Sequence, residues 1–166
     1  ANSIIASLSY DGRRISFRTG SRQGNALIGL FDAWGNCIWS WHIWVASYNP
    51  DSSAQTYASG AVFMDRNLGA IGTDYTQSAA CGLYYQWGRK DPFPYPASFS
   101  SNRPAPFVYH DCFRYEVIHP ENSDPADVMT VDWAVKNPTS FIYKADYDVE
   151  EPEEDVLDWL LQPHHN

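Results

Sequence analysis

The sequence predicts a β-rich α+β domain with short helices and long loops, and three observations predict it. The 166 residues hold 7 Trp, 11 Tyr and 8 Phe beside 10 Gly and 11 Pro, a mixture that suits short strands and ordered loops better than a helical bundle. Asp11-Gly12 and Asp32-Ala33-Trp34-Gly35-Asn36 each separate two runs of strand-forming residues, as hairpin turns do. The run Ile38-Trp39-Ser40-Trp41-His42-Ile43-Trp44-Val45 sets Trp39, Trp41, Ile43 and Val45 on one strand face and Ile38, Ser40, His42 and Trp44 on the other. Neither stripe is cleanly polar, so this strand is expected to be covered on both sides, at the centre of a sheet.

The elements follow in chain order. Residues 3–19 read as a hairpin turned at Asp11-Gly12, with Ile15, Phe17 and Thr19 on one face and Arg14, Ser16 and Arg18 on the other. A second hairpin joins Asn25 to Phe31 with Cys37 to Val45. Residues 46–60 are a loop by composition, and Ala61 to Asp65 is a short strand. From Gln77 to Trp87 the spacing predicts a helix, since Leu83 and Trp87, and Ala80 and Tyr84, lie four apart, with Ser78 as N-cap and Gly88 as terminator. Five prolines between Asp91 and Pro106 exclude regular structure there. Thr130 caps a short helix over 130–136, stopped by Asn137-Pro138, and Ser140 to Tyr143 is a strand. Pro152, the acids after it, and Val156, Leu157, Trp159 and Leu160 make a last helix.

A chain of this length that is 44% hydrophobic is expected to form a single domain over 1–166, made of an N-terminal hairpin (1–19), a core (20–145), and an acidic segment with the terminal helix (146–166). The net charge of −9 is local. Residues 146–158 carry 8 of the 20 acids and no base, leaving 12 acids against 11 bases elsewhere. No basic surface is offered, so nucleic acid is disfavoured and not expected as a partner. No apolar run approaches the ~20 residues that span a bilayer, so no transmembrane segment is expected. The chain has no initiating Met and is expected to come from within a longer precursor; whether Asn166 is the native end is open. Cys37, Cys81 and Cys112 lack any Cys-x-x-Cys spacing, which gives no support to a zinc or thioredoxin-type site, and their pairing stays open.

Three segments in order carry a resemblance: Gly35-Asn36-Cys37-Ile38-Trp39-Ser40-Trp41-His42-Ile43-Trp44, then Met64-Asp65-Arg66-Asn67-Leu68-Gly69-Ala70, then Gly82-Leu83-Tyr84-Tyr85-Gln86-Trp87-Gly88-Arg89-Lys90-Asp91-Pro92-Phe93. Asn25-Ala26-Leu27-Ile28 and Asn137-Pro138-Thr139-Ser140-Phe141-Ile142 extend it over most of residues 20–145. The pattern resembles fimbrillin-like and other exported Bacteroidetes surface proteins related to the Fibrobacter succinogenes major paralogous domain. The resemblance implies a C-type-lectin-like fold, secretion, and a place at the cell surface, in a fimbrium or on the outer membrane, with a role in display or cell adhesion. The family pattern continues into a Cys-Pro and Gly-Trp-Arg-Val-Pro type segment that this sequence lacks, so the lectin-like fold is expected to lack its C-terminal strands. Cys37 and Cys81 stand where the family has apolar residues, either as an added disulfide or as small core residues.

The chemistry-bearing residues read mainly as structure. Asp65, Arg66 and Asn67 have no nucleophile beside them, and an arginine at a strand end can fork onto a carboxylate or onto loop carbonyls. Arg89 and Lys90 are expected to close the helix ending at Gly88, with Asp91-Pro92 starting a turn. His42 reads as a hydrogen-bonded core histidine, and His110, His119, His164 and His165 are scattered. Asp146, Asp148 and Glu150 are weak candidates for calcium, but the segment has neither the glycine of an EF-hand loop nor a Glu-Pro-Asn sugar motif, so no metal or cofactor is expected. Trp39, Trp41, Trp44 and Trp87 fall in apolar patterns and read as core. Trp34, in a turn, and Tyr95, Phe99 and Tyr109, in the proline-rich stretch, are the candidates for ligand contact. The expectation is a surface or fimbrial binding module, not an enzyme, that recognises a glycan or a protein through its loops; the alternative is a structural subunit packed against a neighbouring pilus or envelope protein.

Overall fold

The computed structural model describes residues 3–93, the backbone of 116–118, and residues 130–142. These are strand-rich, with short helices and small two-stranded sheets, an α+β composition. They fall into two compact units, one holding residues 3–27 and 42–84, the other 28–41, 85–93, 116–118 and 130–142. Among the described residues no helix is long and apolar enough to cross a membrane.

In the first unit β1 (Ile5–Tyr10) pairs antiparallel with β2 (Ile15–Thr19), with Leu8 opposite Phe17 and Tyr10 opposite Ile15. The turn is made as its residues dictate. Gly12 takes φ +91°, and the Asp11 carboxylate accepts the backbone N–H of Arg13 and Arg14 at 2.9 and 2.7 Å. β3 (Gly24–Phe31) pairs with β4 (Cys37–Val45) as the composition predicts; the open end of this hairpin belongs to the first unit and its turn end to the second. Loop 46–60 holds more order than its composition suggests. Asn49 caps a four-residue helix α1 (Pro50–Ser53), and β5 (Gln55–Thr56) pairs antiparallel with β6 (Val62–Phe63), a shorter strand than the expected 61–65.

The predicted helix over 77–87 does not form. Its only helical part is a single 3₁₀ turn, Ser78–Ala80, whose N-cap is Gln77 rather than Ser78 and makes no side-chain capping bond. The segment spends its hydrogen bonds on a neighbour instead. Leu83 N–H donates to Leu68 O at 2.8 Å, Ile71 and Gly72 N–H donate to Ala79 O, and the Asn67 amide donates to the carbonyls of Ala80 and Cys81. Gly82 sits at φ +71°, where a Cβ would stand 2.7 Å from both Leu68 O and Asn67 Cβ. That backbone is closed to a right-handed helix, and the i, i+4 spacing is overridden by the lacing of 67–72 to 79–83. Buried Asn25 completes this layer: its amide donates to Gly69 O at 2.9 Å, so its oxygen is left to accept from His42 Nε2 at 2.8 Å.

In the second unit α2 (Val131–Lys136) starts where predicted, with Thr130 Oγ1 accepting the Trp133 N–H at 3.1 Å. It leads into β8 (Ser140–Ile142), which pairs in parallel with β7 (Glu116–Ile118). Ala134 and Ile142 are buried together with Trp133 packed on them, and Phe93 meets Phe141 edge to face at 5.2 Å. The tryptophan strand β4 corrects the expectation of a covered sheet centre. Among the described residues its sheet has two strands, Trp39 and Trp41 are part-exposed, and Trp87, read as core, is 76% exposed. Alternation fixes which side chains share a face, not whether anything is laid upon that face.

Gly82→Ala is expected to destabilise the protein by about 2–5 kcal/mol, from left-handed strain of roughly 1–2 and overpacking of roughly 1–3. Urea unfolding checks this, and a loss below half a kcal/mol would show that the 67–83 lacing yields freely.

Candidate functional site

The β3–β4 turn presents an indole on a rigid mount. Asp32 Oδ1 accepts the backbone N–H of Trp34 at 2.9 Å and of Asn36 at 2.8 Å, and Oδ2 accepts the Asn36 amide at 2.9 Å. Gly35, at φ +88°, donates its N–H back to Asp32 O, and Asp32 N–H donates to Asn36 O. The Asn36 side chain and the backbone amides of Asn36, Trp34 and Gly35 hold the Asp32 carboxyl below its ordinary range. Every bond in this clasp turns inward. Trp34 is left 85% exposed at its apex. An aspartate three residues before a glycine is the signal in the sequence for such a turn.

On β4 in the same unit, Trp39 and Trp41 share a strand face some 6.7 Å apart along the strand. The Lys90 ammonium lies 4.6 Å from the centre of the Trp39 ring. It is held there by a buried node. Asp91, only 3% exposed, accepts from Ser40 Oγ at 2.7 Å and from Lys90 Nζ at 2.6 Å, while Lys90 also donates to Ser40 O at 2.9 Å and to Ser40 Oγ. A serine between a lysine and an aspartate invites a nucleophile reading. Ser40 is buried, however, and all three ammonium protons of Lys90 are engaged, so neither group is free to meet a substrate. The sequence reading took Asp91 for the start of a turn and missed this node, because Ser40 and Asp91 lie 51 positions apart.

Arg89 does close a helix, but a different one from that expected. Its Nη2 donates to Ala134 O at 3.4 Å and Asn137 O at 2.8 Å, at the C-terminus of α2, and its guanidinium lies over the Phe93 ring at 4.9 Å. Burial lowers its pKa to about 10, against the opposing pull of Asp91. Arg66 forks onto Asp65 through Nε at 2.8 Å and Nη2 at 3.1 Å, and stacks on Tyr48 at 4.2 Å; Tyr48 in turn stacks on Trp44 at 5.5 Å. Arg66 holds the Asp65 carboxyl below its usual range. Arg89 therefore anchors backbone and a ring, and Arg66 a carboxylate and a ring.

Cys37 and Cys81 are free thiols, the first buried and the second exposed. Burial pushes the Cys37 thiol above its ordinary range, more than Lys90 lowers it, which makes it a poor nucleophile. Among the described residues no three His, Cys, Asp or Glu side chains are placed to hold a metal ion. The candidates Tyr95, Phe99, Tyr109, Asp146, Asp148 and Glu150, the proline-rich stretch, the acidic segment with the terminal helix, and Cys112, His110, His119, His164 and His165 lie outside the described residues. Of the four aromatic candidates for ligand contact, the structure places Trp34, at full display. Exposed Tyr75 and Trp87 were missed, the first for want of any pattern and the second through a helical one.

Two outcomes follow from these geometries. Lys90→Ala strands the Asp91 carboxylate without its cation and is expected to cost on the order of 3 kcal/mol, seen as a lower urea midpoint, with most of it regained when Asp91 is also made leucine. Because the Asp32 carboxyl is depressed, its contribution to the turn is complete above its unfolded pKa of about 3.9 and lost as pH falls through the lower folded value. Protection of the Trp34 and Asn36 amides against exchange is therefore expected to be lost as pH falls below about 4, with no such step in Asp32→Asn. Comparison of the chain with protein-family models, with curated proteins and with solved structures gives no match.

Proposed function

We propose that this chain is a binding and display module: an exported cell-surface or fimbrial domain, C-type-lectin-like in fold, that recognises a glycan or a protein through its loops. The observation that carries the reading is the Trp34 turn. An indole left 85% exposed forgoes burial worth on the order of 2 kcal/mol, yet the five bonds of the Asp32 clasp fix its backbone there. A large apolar ring on a pre-organised turn meets a ligand with little ordering cost, and its flat face suits the apolar side of a pyranose. The part-exposed pair Trp39 and Trp41 on β4 offers further aromatic surface in the same unit. The resemblance of residues 20–145 to surface and fimbrial proteins supports export and display.

Screening the full chain against glycan and host-protein arrays, with Trp34→Ala beside it, tests the proposal. The wild type is expected to give specific hits that fall at least about tenfold in Trp34→Ala, a loss near 1.4 kcal/mol, while the thermal midpoint stays put because the side chain is 85% exposed. Hits that persist unchanged in Trp34→Ala would sink the reading.

A further inference from the structure

The hairpin β1–β2 is amphipathic, yet both of its faces are open. Strand register sets Leu8, Tyr10, Ile15 and Phe17 on one face and Ser7, Ser9, Ser16 and Arg18 on the other. Leu8 and Tyr10 are each 55% exposed and Phe17 43%. Among the described residues the hairpin is a sheet of two strands, so no third strand pairs with its edges. A two-stranded ribbon is marginal in water by itself, and an uncovered edge is a template for another strand.

Charge narrows what that strand would be. Arg13, Arg14 and Arg18 are exposed and form no ion pair among the described residues. The nearest acid in sequence, Asp11, has its carboxylate committed to the backbone of Arg13 and Arg14, which also holds it below its ordinary pKa range. The two outer edges differ: β1 offers Ser7 and Ser9 between its apolar residues, whereas β2 alternates Ile15, Ser16, Phe17, Arg18 and Thr19. A strand laid along β2 would have Ile15 and Phe17 beside it on one face and Arg18 on the other.

We propose that the outer edge of β2 takes up an extended segment of a partner protein in which apolar and acidic residues alternate. Main-chain hydrogen bonds supply the pairing, and the alternation supplies the choice of partner. Two other occupants fit less well. A second copy packed face to face would share only three large exposed side chains, far below the roughly 800 Å² per partner of a stable interface. A lipid surface covering the apolar face would leave Arg18 pointing away from the headgroups. The proposal is independent of Trp34, which belongs to the other unit.

Isothermal titration of the full chain with a seven-residue peptide alternating valine and glutamate is the test. Saturable one-to-one binding is expected, at least about fivefold weaker in Phe17→Ser and about tenfold weaker in Arg18→Glu, and weaker again at high salt. Arg18→Glu is expected to prefer the valine–lysine peptide, a reversal that unfolding cannot produce. Both substituted side chains already face water, and far-UV circular dichroism confirms the fold. The proposal is overturned by any of four results: no peptide binding; equal binding of a peptide with its glutamates grouped at one end; binding of phosphatidylserine vesicles in place of the peptide; or concentration-dependent dimerisation that Phe17→Ser abolishes.

Discussion

The second unit depends on one buried carboxylate. Asp91 is withdrawn from water, and a charge so placed is tolerated only when paired and hydrogen-bonded. Ser40 from β4 and Lys90 from the adjacent position supply that pairing and fix residues 89–93 against the tryptophan strand. Once this short segment is fixed, its other side chains have determined places. Arg89 reaches the last carbonyls of α2, Phe93 meets Phe141 on β8, and Gln86, just upstream, donates to Ile142 O. Backbone ends that would otherwise lack partners are satisfied by side chains from a segment with no regular structure of its own.

The same economy holds in the first unit, where an irregular layer is bonded as fully as a sheet would be. Asn25 spans Gly69 and His42, and Asn67 reaches the carbonyls of Ala80 and Cys81. Glycines at 69 and 82 let the two backbones approach, since a Cβ at Gly69 would stand 2.6 Å from the Leu83 side chain. Such a layer leaves little apolar area inside, and among the described residues the aromatic side chains that the composition promised to a core are found largely at the surface. Tyr57 and Phe63 stack edge to face at 5.5 Å while remaining exposed. Aromatic surface of this extent on turns and two-stranded ribbons is where a binding module would carry its contacts.

Local chemistry was readable in the sequence. Asp11-Gly12 and the Asp32 to Asn36 turn, both hairpins and the Thr130 cap fall within a residue or two of where turn and cap preferences put them, because each depends on atoms a few positions apart. Trp34 was legible for the same reason, since a turn that bonds to itself turns its apex outward. The helix over 77–87 was misread. Its spacing is helical, but bonds from Leu68, Ile71 and Gly72 and a left-handed Gly82 outweighed a weak propensity.

By itself the sequence determined the β-rich composition, the places where the chain reverses, and which residues of each strand share a face. Those follow from short-range sterics and the two-residue period of a strand. Only the tertiary structure decided which faces are covered: that Ser40 and Asp91 are buried while Trp39 and Trp87 meet water, that Arg89 caps α2, and that Leu8, Tyr10 and Phe17 stand uncovered. Burial depends on what lies opposite a residue in space, and neither period nor propensity encodes the partner.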